Sequence, residues 1–436
     1  AEVRRVKKKY LEAVATKVIS PSPNRVSPQC AHFGVCGGCK WQHMIYDAQL
    51  RQKEKQVSDA LRHIGGFQEF VIHPAQGAAK FYNYRNKIDF SFGDQRYLLV
   101  EEIAHKGDAL QKPKSFALGF HVPGRYDKVI DIDRCDIASP EMNTVLSVVK
   151  AFCLEKALPV YSTVTDQGFL RNLVIRAGEN TGELMVNLVT SWHEADLMQE
   201  LAGRLKAALG EKLTAFVNNI STRKNTSAFG EEEFSVLGPN AITESLGDYR
   251  FNISANSFFQ TNTAQALALY QKTLEYAQIE KTDTVYDLYC GTGSISIFIS
   301  QACQKVLGVE VIESAVTDAN QNAVRNGVSN CTFKLLDLKD FGKMLNDLSA
   351  FGMPDVVITD PPRAGMHPKA VETLLKLAPK RIVYVSCNPA SLARDGKLFC
   401  ENGEYRLEEV QPVDMFPHTN HIESVARFER VAVKKD

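Results

Sequence analysis

Net charge is missing from this sequence. Lys and Arg together number 51, Asp and Glu together number 51, and the chain has 436 residues. Bulk charge therefore points to no nucleic-acid partner, and any basic surface has to be local. Long hydrophobic runs are missing too. No stretch is apolar enough to span a bilayer and no secretory signal pattern is present, so no membrane-spanning helix and a cytoplasmic location are expected. Ten cysteines without an export signal argue against a disulfide framework. There is no internal repeat and no low-complexity tract.

What is present is enough apolar material, 44% of residues, for two or three sizeable cores. Residues 1–20, basic and partly strand-like, read as the tail of a module whose start is absent. Residues 21–65 carry a Pro-punctuated linker, three clustered cysteines and a helical pattern from about Asp47 to His63. Residues 66–250 read as mixed α and β. From 251 to 436 strands and helices alternate, which is the signature of a doubly wound, mostly parallel sheet.

In such sheets ligands bind at the carboxyl ends of the strands. The first strand runs into DLYCGTGSIS, with Asp287, Tyr289, Gly291 and Gly293. The second ends in Glu310, 19 residues after Gly291, a spacing that commonly serves ribose hydroxyls. The third ends in Asp337, placed to bond an adenine amine. The fourth ends in Asp360, followed by two prolines. The fifth ends in Cys387. A dinucleotide fingerprint needs a third glycine where this chain has Ser296, whereas a methyl donor carries no pyrophosphate and tolerates its loss. Together these strand ends resemble the class I S-adenosylmethionine-dependent methyltransferases.

A thiol at the exposed end of a strand calls for a chemical reason. C5 of uracil is too weak a nucleophile to take a methyl group directly. Adding a thiolate at C6 turns C5 into an enolate-like carbon that can, and a base must afterwards remove the C5 proton. A Cys and a carboxylate are thus required at one site. Asp414, His418, His421 and Glu423 lie in the segment read as the last strands. Glu423, between apolar neighbours, is the preferred base because burial raises a carboxyl pKa toward neutrality.

Cys30, Cys36 and Cys39 have C-x5-C-x2-C spacing, and Cys135 in DIDRCDIAS is the candidate fourth ligand. All-thiolate coordination suits zinc or a [4Fe–4S] cluster, and His32 and His43 keep a Cys3His zinc site open. Aromatics and cations interleave in FYNYRNKIDFSF, as Tyr82, Tyr84, Arg85 and Lys87, a pattern that fits single-stranded RNA and an ordinary half-buried strand equally well. The basic turn STRKN (221–225) is a weaker signal of the same kind.

FFQTN, DLYCGTGSIS, GVEVIESAVTDANQNA, DPPRAG, VYVSCNPASLARD and PHTNHIES together resemble the RNA uracil-5-methyltransferases, in particular the iron–sulfur branch acting on 23S ribosomal RNA. The resemblance runs over nearly the whole chain from about residue 10. It implies that Cys387 is the nucleophile and Glu423 the base. It implies that Gln260, Tyr289, Glu310 and Asp360 bind the methyl donor, S-adenosyl-L-methionine, or line the site, with Asp337 near the adenine. It implies a structural [4Fe–4S] cluster on Cys30, Cys36, Cys39 and Cys135, and an RNA partner: 23S ribosomal RNA, with the T-loop of transfer RNA as the alternative. No obligatory protein partner is evident. Residues 1–20 would be the remnant of a TRAM-type β-barrel. Two competing readings are an amino-methyltransferase that uses only the Asp-Pro-Pro loop, and a non-catalytic iron–sulfur RNA-binding assembly factor.

Overall fold

The structure is a computed structural model that describes residues 1–8, 10–104, 112–224, 228–340 and 351–431. Two large sheets organise it. The catalytic-type sheet has eight strands in the spatial order Cys331–Leu335, Lys305–Glu310, Thr284–Leu288, Val356–Thr359, Arg381–Ser386, Glu423–Arg430, Tyr405–Val413 and Val71–Ile72. The first five run parallel, and Glu423–Arg430 runs antiparallel to both of its neighbours. The parallel core strands are continuous apolar runs, such as VVIT and RIVYVS, because helices cover both faces. The chain steps from Thr284–Leu288 outward to Lys305–Glu310 and Cys331–Leu335, then crosses to Val356–Thr359 on the other side. That reversal opens a crevice beyond the strand ends, where such folds bind ligands.

The second sheet has seven strands, Lys87–Gly93, Ala117–Val122, Arg125–Asp131, Leu170–Ala177, Leu184–Thr190, Leu213–Ile220 and Glu232–Leu237, antiparallel except for one parallel pair. Helices Pro140–Glu155 and Ala195–Leu209 bury Met142, Leu146, Val149, Met198, Leu201 and Leu205 against its strands. Ser139 caps the first helix by accepting from Met142 N at 3.2 Å, with Pro140 at its first position.

Two expected boundaries move. A division at 250/251 cuts the strand Tyr249–Ser254, whose hairpin with Ala241–Leu246 packs Ile242, Leu246, Phe251 and Ile253 into the catalytic-side core. Val71–Ile72 lies beyond residue 65 yet forms the edge of the catalytic-type sheet. Residues 1–20, read as partly strand-like, hold a two-stranded ribbon, Glu2–Val6 with Leu11–Val14, and all of its strand residues are exposed. No helix among the described residues is long and apolar enough to cross a membrane.

Candidate active site

The sheet sorts the expected residues into a line. Read across neighbouring strands, their carboxyl ends present Asp337, Glu310, Tyr289, Asp360 and Cys387 in turn, and the antiparallel sixth strand begins with Glu423. Strands lie about 4.8 Å apart, so Glu310 and Cys387, three strands apart, are separated by roughly 14 Å along the crevice. Asp337 sits two residues beyond its strand, where its carboxylate accepts from Lys339 N at 2.9 Å.

Glu310 organises its own surroundings. One carboxylate oxygen accepts from Val311 N (2.8 Å) and Ile312 N (3.0 Å), and the other accepts from Gly291 N (3.0 Å). It therefore ties the glycine turn to the second strand. Tyr289 takes a left-handed conformation, φ 64°, and burial pushes its phenol up to about 12. The residue in place of the third glycine has a job: the Ser296 hydroxyl donates to Asp287 at 2.5 Å, both fully buried. Burial still raises Asp287 to about 7.

The thiol and the carboxylate meet through strand register. Val385 pairs with Val425 and Ser386 with Ser424, so Cys387, one residue on, comes level with Glu423. Side chains directly opposite across an antiparallel pair have Cβ atoms about 5 Å apart. Burial pushes the Cys387 thiol up to about 11; the Glu423 and Asp360 carboxylates add to the rise and the Arg363 guanidinium opposes it. Burial and then Asp360 hold Glu423 well above the ordinary carboxylate range, again opposed by Arg363. Asp360 itself is raised to about 7, by burial first and by Asp287 second. One thiol, two carboxyl groups and one cation thus share a field.

The loops around them are fixed. Asn388 caps helix Pro389–Cys400 by accepting from Ala390 N at 3.1 Å and donates its amide to Arg363 O at 2.9 Å, which locks the Asp-Pro-Pro loop to the turn after Cys387. Cys387 therefore stands just before a helix N-terminus, whose partial positive charge favours a thiolate. Asp395 accepts from Met366 N and Tyr384 Oη, both at 2.7 Å, and so holds the far end of the same loop. Gln260 lies in a loop tied on one side by Asn86 Nδ2 to its own carbonyl (2.9 Å) and on the other by Asn262 Nδ2 to Met415 O (3.1 Å).

Of the other base candidates, Asp414 is taken by a fully buried ion pair with Lys53 at 2.5 Å and by Tyr46 Oη at 2.9 Å. His418 is packed against Tyr82 and hydrogen-bonded to Gln49, and burial lowers it to about 4. His421 lies 3.4 Å from an Arg363 nitrogen.

Cys30, Cys36, Cys39 and Cys135 line one cavity, closed by Phe33, Phe120 and Ile137. Burial raises all four thiols. Among the described residues no group of three or more His, Cys, Asp or Glu is placed to hold a metal ion. His32 borders the cavity, whereas His43 does not line it and packs at a tilt against Phe33.

Residues 124–431 match the family model described as tRNA (uracil-5-)-methyltransferase. The chain belongs to this family. An "uncharacterized RNA methyltransferase" of Chlorobaculum tepidum is 53% identical over 99% of this chain and 88% of its own length, and one of Porphyromonas gingivalis is 39% identical over 98% and 92%. The crystal structure of Pyrococcus abyssi tRNA (uracil-54, C5)-methyltransferase in complex with S-adenosyl-L-homocysteine superposes with a TM-score of 0.74, at 31% identity, over 98% of this chain and 92% of that one. By family the protein is an S-adenosylmethionine-dependent RNA methyltransferase.

Two features of this family member escape a sequence reading. Arg363 stands inside the quoted DPPRAG motif but gives no sign there that its charge reaches both Cys387 and Glu423. Tyr84, left open between an RNA contact and a half-buried position, is a core residue, 2% exposed, with its hydroxyl on Pro417 O at 3.0 Å. Lys87 is paired with Asp89 at 2.8 Å.

Proposed function

We propose that this enzyme transfers a methyl group from S-adenosyl-L-methionine to C5 of a uridine in 23S ribosomal RNA, in the cytoplasm. The observation that carries the reading is the register that sets Cys387 level with Glu423, beside Asp360 and Arg363. An amino-methyltransferase has no use for that thiol.

In this reading the Cys387 sulfur bonds to C6 of the uracil. Its proton leaves to a neighbouring carboxylate, and Arg363 offsets the negative charge that gathers there. Electron density passes to C5 and O4, and C5 takes the methyl group from the donor's sulfonium, whose S–CH3 bond breaks to leave S-adenosyl-L-homocysteine. Glu423 then removes the C5 proton, the C6–S bond breaks, and Cys387 is regenerated. Glu310 and Tyr289 hold the donor's nucleoside at one end of the crevice, with Asp337 by the adenine. Asp360 and Gln260 line the reacting end. The raised pKa of Glu423 makes it the stronger base once ionised.

The four cysteines fit a [4Fe–4S] cluster in number and donor type, and their shared apolar cavity supports the assignment. Bound there, the cluster would pin residues 30–39 to Cys135 of the central sheet. No step of the methyl transfer passes through it.

A second reading, a uridine of transfer RNA, is favoured by two observations: the matching family model is described as tRNA (uracil-5-)-methyltransferase, and the 31%-identical solved structure is that of a tRNA methyltransferase. Mapping 5-methyluridine in 23S ribosomal and transfer RNA from a deletion strain decides between them. The proposal expects loss at a 23S position, restored by the wild-type gene and not by Cys387→Ala.

A further inference from the structure

A cleft separate from the strand-end crevice lies at the far end of the central sheet. Its volume is about 720 Å3. Strand Leu170–Ala177 runs between the two places. Arg176, near its end, donates to the carbonyls of Ala255 and Ser257, just before the Gln260 loop. Arg171, at its start, opens onto the cleft. Five residues of extended strand separate them, roughly 17 Å.

The lining is neither apolar nor uniformly charged. The Arg171 guanidinium lies over the Tyr161 ring at 3.6 Å and is held from behind by Ser191 Oγ (3.0 Å) and Arg223 O (2.8 Å). Trp192, one of only two tryptophans in the chain, forms another wall and is 44% exposed. Two cations, Arg171 and Lys224, face one carboxylate, Asp166. Lys224 Nζ pairs with Asp166 at 2.6 Å while most of its side chain stays in solvent at the rim. Most telling is Ser221. It is fully buried, it lines this cleft, and its hydroxyl has no hydrogen-bond partner among the described residues. A buried hydroxyl without a partner costs free energy unless something fills the space beside it.

Stacking planes, a rim cation and an unused buried hydroxyl are the parts that hold an unpaired nucleotide: aromatic and guanidinium faces take the base, the cation takes the phosphate, and the hydroxyl meets a base edge or ribose oxygen. We propose that this cleft binds an unpaired nucleotide of the RNA substrate, at a distance from the uridine that reacts. The inference rests on the reading of the protein as an RNA uracil methyltransferase. It gives the basic turn at 221–224 a role; Asn225 lies outside the described residues.

The test uses the full chain and a fluorescently labelled, 4-thiouridine-containing oligouridylate. Trp192→Ala and Lys224→Glu change exposed side chains. Each should weaken binding about five-fold or more, as loss of one base stack does. Each should also raise KM for RNA while kcat and the donor KM stay put. Irradiation of the wild-type complex should crosslink the RNA to the peptide carrying Tyr161 or Trp192. Unchanged affinity in both variants would overturn the assignment, as would crosslinks confined to the Cys387 side. Competition by uridine monophosphate as strong as by the oligonucleotide would make the cleft a free-nucleotide site and overturn it too. The two readings fail separately. RNA bound through this cleft with no 5-methyluridine formed would sink the uracil chemistry and spare the cleft. Normal methylation with wild-type KM in both variants would do the reverse.

Discussion

Cys387 lies level with Glu423 across an antiparallel strand pair, one residue beyond the paired Ser386 and Ser424. The chemistry proposed for this enzyme needs a nucleophile and a base on one ring, the first at C6 and the second at C5. Adjacent strands supply that separation without any loop having to close.

Glu310 should matter to donor binding more than to the rate. Its carboxylate holds three backbone N–H groups that shape the glycine turn, in addition to the ribose contact proposed for it. Glu310→Ala should weaken the donor by roughly 1.5–3 kcal/mol, or about 10- to 150-fold. Calorimetry gives the dissociation constant, and kcat at saturating donor should move far less. An unchanged dissociation constant contradicts the placement.

The pH profile should carry the mark of a buried acid pair. Glu423 accepts a proton only when ionised, and both Glu423 and Asp360 sit above the usual carboxylate range. Activity should therefore be lost as pH falls through a raised apparent pKa that belongs to the pair. Asp360→Asn removes a neighbouring negative charge, which favours ionised Glu423. The acid limb of kcat/KM should move to lower pH even though total activity falls. A limb that stays in place would show that Asp360 does not act on the base.

The buried Lys53–Asp414 pair clamps the cysteine segment's helix to the loop that precedes Glu423. Asp414→Ala leaves an ammonium buried without its partner, and should cost about 3–5 kcal/mol in a denaturation experiment. Adding Lys53→Met should recover part of that loss. Equal stability of the single and double variants would mean the ion pair is not what holds the loop.

Metal analysis tests the cysteine cavity. Protein purified without oxygen should be brown and hold about four irons per chain, and Cys135→Ala should lose them. Stoichiometric zinc without iron contradicts the cluster.

The strand-end positions of the candidate residues were legible because they follow directly on buried Val- and Ile-rich runs. Tyr289, Glu310, Asp360 and Cys387 each stand one residue beyond a strand or at its last position. What the sequence hid depends on distant partners. Lys53 sits in RQKEKQ, which reads as a solvated helix face, yet it is fully buried because Asp414, 361 residues away, meets it. Val71–Ile72 is too short a strand to announce itself, and its partner is Glu409–Val410 near the other end of the chain. The alternation in Ala241–Ser254 shows a hairpin but not which core receives its apolar side. The aromatic and cationic pattern around Tyr84 could not separate an RNA contact from a buried position, and Tyr84 lies in the core just before the strand Lys87–Gly93.

The most direct test traps the reaction between its two halves. Glu423→Gln should still permit attack by Cys387 and methyl transfer, then stall because nothing removes the C5 proton. Its RNA should therefore remain bound to the protein in a denaturing gel, with the transferred methyl group aboard and the bond mapped to Cys387 by mass spectrometry. Cys387→Ala should give neither adduct nor 5-methyluridine. Substantial methylation by Cys387→Ala, or an adduct mapped to Cys290 or Cys400, would contradict the account.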